Sequence, residues 1–105
     1  MTEFQIVLTT CPSGEVAQTL GLSLVQEGLA ACVNILPAIQ SIYKWKGKIE
    51  TATEYLLLIK SSTVHYAAIE TRLRALHPYE LPEIIAVSVS AGSTDYLSWL
   101  HHPDN

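Results

Sequence analysis

A mixed α+β domain on an antiparallel sheet is what this sequence predicts, from three observations. Residues 4–10 alternate apolar and polar side chains and then pass into helical spacing. Residues 31–59 read as extended almost throughout, broken by one glycine turn. A second helix and strand follow in the C-terminal half.

The first strand sets Phe4, Ile6 and Leu8 against Gln5, Val7 and Thr9, and Cys11-Pro12-Ser13 ends it. Ser13 is a good helix N-cap, and Glu15 sits in the first turn, where the dipole favours an anion. Val16, Ala17, Leu20, Leu24 and Val25 give a helical apolar face, and Gly28 supplies the stop. In the extended region Val33, Ile35, Ile39 and Tyr43 share one parity, and Pro37 interrupts the run. A proline inside a strand belongs at an edge or a bulge, so this strand should be an edge strand. Trp45-Lys46-Gly47-Lys48 is the turn, because Gly47 takes positive φ freely. The returning strand ends in residues 55–59, apolar on both parities, which predicts a central strand covered on both faces. Ser61, Ser62 and Thr63 are expected to cap a second helix, whose face is Tyr66, Ile69, Leu73 and Leu76 and which Pro78 stops. A strand over residues 84–89, a turn at Gly92-Ser93 and a last helix over residues 94–100 complete the chain. Residues 101–105 read as a frayed tail.

The order is βαββαβ plus an added C-terminal helix, the split βαβ pattern of ferredoxin-like folds. Right-handed crossovers put the first and third strands in the middle and the second at an edge. At 105 residues one domain spanning 1–105 is expected. Each hairpin arm, at about 14 residues and 3.3 Å per residue, is about 45 Å long. A domain of this size is only about 35 Å across, from a radius of gyration near 13 Å. The hairpin therefore overhangs its own domain, and an isolated ribbon is marginal in water, so the arms are expected to complete sheets in neighbouring subunits.

Composition agrees. Hydrophobic residues make up 49% and charged residues 15%, below the roughly 25% charged of average soluble domains, so another surface is expected to cover part of this one. No apolar run approaches the ~18 residues that span a bilayer, so no membrane is expected. The start Met1-Thr2-Glu3-Phe4 has no basic n-region and predicts no signal peptide. Two cysteines then fit reduced thiols in a cytoplasmic protein. A net charge of −4 argues against nucleic acid, and Lys44, Lys46 and Lys48 read as a solvated face that blunts aggregation.

The topology gathers Cys11, Trp45, Lys48, His77, Tyr79 and Glu80 at one end of the domain. A thiol, an imidazole and a carboxylate suit copper or zinc, and Cys11 precedes a helix N-terminus, where a thiolate is favoured. The plainer readings are a small strand-end residue for Cys11, a helix C-terminal cation or a packed core imidazole for His77 and a buried hydrophobe for Cys32. His65 reads as a surface residue. His101 and His102, being adjacent, are expected to diverge on a helix or to be solvated in a tail. Phosphate loops, nucleophile elbows and His-Glu-x-x-His or Cys-x-x-Cys spacings are absent, and Glu80 and Glu83 are an ordinary loop pair, so no enzyme is expected.

The stretches Glu27-Gly28-Leu29-Ala30-Ala31-Cys32-Val33-Asn34-Ile35-Leu36-Pro37, Tyr43-Lys44-Trp45-Lys46-Gly47-Lys48-Ile49-Glu50 and His77-Pro78-Tyr79-Glu80-Leu81-Pro82-Glu83 resemble the CutA divalent-cation-tolerance family, in one register over nearly the whole chain. The resemblance implies a cytosolic homotrimer, similar in architecture to the PII signalling proteins, that binds copper or another divalent cation and has no established catalysis. It implies copper ligands in a cysteine at the end of the first strand and in histidines before a Pro-Tyr pair. Here His77 takes the second histidine position and Leu76 the first. Thr9 takes the cysteine position, with Cys11 two residues on. His77 and Cys11 are therefore the candidate metal ligands. By analogy with PII clefts, Tyr43, Trp45, Lys48, His77, Tyr79 and Glu80 are expected to line a cleft between subunits. Two alternatives stand beside metal handling: a small-molecule or partner-binding signalling module at that cleft, and a structural trimer with adventitious metal binding. The identity of any protein partner is open. Extensive strand pairing through a trimer also predicts a thermostable protein.

Overall fold

The structure is a computed structural model that describes residues 3–103. Strand β1 covers Phe4–Cys11, helix α1 Gly14–Gln26, strand β2 Cys32–Trp45 and strand β3 Lys48–Ser62. A 3-10 turn at Thr63–His65 leads into helix α2, Tyr66–Leu76. Strand β4 is Ile85–Ser88 and helix α3 is Thr94–His101. The sheet order is β2-β3-β1-β4 with every neighbouring pair antiparallel, so β1 and β3 are central and β2 is an edge, as expected.

The caps follow local chemistry. Ser13 Oγ accepts the Val16 N–H at 3.2 Å and Ser93 Oγ accepts the Tyr96 N–H at 3.1 Å. Helix α1 ends in a Schellman motif: Gly28 at φ +73° lets Leu29 N–H reach the Leu24 carbonyl at 3.0 Å. Helix α2 stops because the residue before Pro78 is extended, at φ −74° and ψ 134°. Its start differs from expectation. Ser61 and Ser62 belong to β3 and make no side-chain cap. Ser61 Oγ accepts from Gln5 Nε2 at 3.1 Å, and the Ser62 hydroxyl donates to the Glu3 carbonyl at 3.4 Å, so the central strands have taken these groups.

Helices α1 and α2 cover one face of the sheet. The core there is Val7, Cys11, Leu57 and Ile59 from the strands, Ala17, Leu20 and Leu24 from α1, and Ile69 and Leu73 from α2. The expectation that residues 55–59 are covered on both faces is corrected. Leu57 and Ile59 are buried, whereas Leu56 and Leu58 on the opposite face are only half-buried. Helix α3 lies over one end of that outer face, where Lys60 Nζ sits 5.8 Å from the Tyr96 ring centroid. Around it the outer face exposes Leu36, Ile85 and Val87.

The parity reading of β2 is also corrected. Leu36 pairs with Leu56 and Ile39 with Glu54, so β2 advances three residues while β3 advances two. This is a β-bulge at Pro37 and Ala38, the latter at φ +57°. Before it, Val33 and Ile35 pack on the core. After it the odd residues have changed sides, so Ile39, Ser41, Tyr43 and Trp45 share the outer face with Glu54 and Thr10. Lys46 at φ +50° and Gly47 at φ +80° close the hairpin. The molecule measures 45 × 26 × 23 Å, long along the ribbon. At its far end Ile42 and Ile49 are 74% and 76% exposed. The tail reading is corrected at His101, which closes α3; Asp104 and Asn105 lie outside the described residues, as do Met1 and Thr2. No helix among the described residues is long and apolar enough to cross a membrane.

Candidate functional site: an acidic cleft on the outer face

A cleft of about 740 Å³ opens between the distal hairpin and the loop joining α2 to β4. Tyr43 and Trp45 form one wall, with Ser41 and Ile42. Tyr79, Glu80, Leu81, Pro82 and Glu83 form the other, and Thr10 and Glu54 the floor. The bulge at Pro37 is what turns Tyr43 and Trp45 onto the face that carries Glu54 and Thr10.

His77 holds the loop in place. It is 8% exposed, and its Nδ1 accepts the Tyr79 N–H at 3.1 Å. A backbone N–H can only donate, so the proton must be on Nε2, which donates to the Thr10 carbonyl at 2.8 Å. The imidazole is thus a neutral staple between β1 and the loop, with its ring against Tyr79 at 4.9 Å. Tyr79 in turn donates its hydroxyl to Glu54 Oε2 at 2.6 Å. Burial, and then the bond to Glu54, make that phenol far harder to ionise than usual. Glu54 is 6% exposed. Glu83, although exposed to solvent, holds its proton more tightly than an ordinary carboxyl, first through the protein packed around it and then through the nearby Glu54 charge. The cleft therefore carries three carboxylates, Glu54, Glu80 and Glu83, and none of its lining residues is Lys, Arg or His. Such a surface concentrates cations and repels phosphates and other anions.

The residues singled out from the sequence separate into three groups. Tyr43, Trp45, Tyr79 and Glu80 line this cleft of the single chain. Lys48 does not line it. It pairs with Trp45 at the ribbon tip and is exposed to solvent. Cys11 and His77 lie behind it. Cys11 is fully buried on the helix side, and its thiol donates to the Ser13 carbonyl at 3.6 Å. Burial pushes the thiol pKa up, the Ser13 contact offsets this in part, and Glu54 adds to the rise. The thiolate expected beside a helix N-terminus is thus disfavoured. With both His77 nitrogens engaged and the Cys11 sulfur protonated, this pair does not fit a metal ion as arranged here. Among the described residues, no three His, Cys, Asp or Glu side chains are grouped so as to hold one. Sequence reasoning missed Glu54, the cleft's most buried carboxylate. Its signal was a charge on the parity of Leu56 and Leu58, where a central strand should be apolar.

Comparison with known proteins decides the family. The sequence profile of the CutA1 divalent ion tolerance protein matches residues 5–103. The chain belongs to the CutA1 divalent ion tolerance family. A divalent-cation tolerance protein CutA from Thermus thermophilus is 48% identical over 96 residues, covering 91% of this chain and 93% of that protein. A solved structure of the divalent cation tolerance protein from Thermus thermophilus superposes with a TM-score of 0.91 at 47% identity, covering 93% of this chain and 95% of that one. The CutA structure from Xylella fastidiosa gives 0.91 at 52% identity, over 94% and 95% of the two chains. The ferredoxin-like reading and the resemblance to CutA both stand, and divalent-cation tolerance is the description attached to the family.

Proposed function

We propose that this CutA1 protein works as a cytosolic homotrimer that binds copper or a similar divalent ion and catalyses no reaction. The observation that carries the reading is the acidic cleft on the uncovered face: three carboxylates and no cationic side chain among its lining residues. The bare stripe of Leu36, Ile85 and Val87 and the protruding ribbon favour association with copies of the chain, which makes the cleft an intersubunit one. A binding role fits better than a catalytic one, because Tyr79 keeps its proton on Glu54 and His77 has no free nitrogen for proton transfer. The free thiols of Cys11 and Cys32 suit a reducing compartment.

A second reading is favoured by size and by the aromatic wall. The cleft volume lies within the roughly 300–1,000 Å³ of small-molecule sites, so Tyr43 and Trp45 would hold an organic ligand.

Calorimetric titration of the reduced protein with CuCl2 and ZnCl2, with solution mass measured alongside, tests both. The expected result is a three-chain mass and a saturable isotherm that Glu54→Gln weakens while the trimer persists. A single-chain mass overturns the assembly. An isotherm unaltered in Glu54→Gln overturns the cleft as the ion's site, and loss confined to Cys11→Ser plus His77→Ala moves the ion to that pair.

A further inference from the structure

Four histidines occur in the chain, and they are not equivalent. His77 has both ring nitrogens engaged. His65 stands alone at the end of a 3-10 turn. Adjacent residues such as His101 and His102 are expected to diverge, and these two do the opposite. His101 is the last residue of α3, whereas His102 leaves the helix at φ −131° and ψ 71°. That single non-helical residue swings the second ring back, so the two centroids lie 4.6 Å apart with the planes at 82°. Phe4, fixed in β1, meets the His101 ring edge-on at 6.0 Å and limits where it can turn. Both histidines are exposed to solvent.

We propose that His101 and His102 form a surface site for a borderline divalent cation, copper(II), zinc or nickel, distinct from the cleft. At a centroid separation of 4.6 Å, a small rotation brings one nitrogen from each ring to the ~2.0–2.1 Å bond length of imidazole–metal coordination. Imidazole suits these ions, and two imidazoles on adjacent residues chelate because the second ligand is already held near the ion. The site closes the C-terminal end of α3, where the helix dipole favours positive charge. No third His, Cys, Asp or Glu side chain among the described residues joins them, so water fills the other positions. A two-imidazole, water-completed site exchanges its ion readily, as a protein that buffers a metal requires.

The test is CuCl2 titration followed by electron paramagnetic resonance, on the full chain and on His101→Gln plus His102→Gln, two exposed substitutions. The wild type should show imidazole nitrogen coupling at one copper per chain. The double variant should lose the coupling and the site with it, whereas either single substitution should weaken binding by about 100-fold, the loss expected when a chelate is broken. Glu54→Gln should leave this signal unchanged, which separates the site from the cleft. An unchanged affinity in the double histidine variant overturns the proposal. So does a spectrum without imidazole coupling in the wild type.

Discussion

The two faces of the sheet share the same strands and serve opposite ends. On the helix side Val7, Leu57 and Ile59 are wholly buried, and the packing is complete within one chain. On the other side the edge strands β2 and β4 present Leu36, Tyr43, Trp45, Ile85 and Val87 to solvent, together with the acidic cleft. One face is closed by the chain's own helices, and the other is left open, which is where the proposed ligand and neighbouring subunits would bind.

A pair of substitutions should give the largest contrast between the faces. Leu57→Ala, on the closed face, should lower stability by about 3 kcal/mol in denaturant unfolding, because it leaves a cavity in dense packing. Val87→Asp, on the open face, should leave the circular dichroism of the chain intact and reduce its mass in solution to that of one subunit. If Val87→Asp unfolds the chain as Leu57→Ala does, the two faces are not separable. A smaller effect of opposite sign lies inside the core. The Thr9 hydroxyl is buried with no hydrogen-bond partner, so Thr9→Val should raise stability by about 1 kcal/mol, read from the unfolding midpoint. The smallest effect belongs to the cleft. Glu83 has a raised pKa, so the folded chain binds its proton more tightly than the unfolded chain does. Its ionisation then weakens the fold as pH rises from the ordinary carboxyl range through the folded-state value. Glu83→Gln should be the more stable protein at neutral pH, with the advantage shrinking below the ordinary carboxyl pKa. An advantage independent of pH would assign the effect to packing.

The element order, the central strands and the edge position of β2 were all legible in the sequence, because alternation, helical spacing and turn glycines are local signals. The faces were less so. Pro37 announced an irregularity, yet whether it produced an edge or a phase change depended on how many β3 residues lay opposite, which is a tertiary fact. Ser61 and Ser62 have the chemistry of caps, but strand β1 competes for them and wins through Gln5 and Glu3. At the site, the aromatic wall and the loop from Tyr79 to Glu83 were visible as residue types. Glu54 was not, because it hides beside an apolar run. His77 stands out in the sequence, and only its two bonds reveal that it supports the loop.

The extra residue at Pro37 and Ala38 works like a half-step in a two-beat rhythm. Everything on the ribbon before it keeps time with the core, and everything after it keeps time with the outside world. Pairing β2 straight through Pro37 and Ala38, with no bulge, would leave composition and length untouched, yet it would send Tyr43 and Trp45 to the opposite side and bring Ile42 and Lys44 to the cleft. In this chain the choice between an aromatic mouth and a greasy, basic one is therefore made by counting, at a position that itself belongs to neither wall.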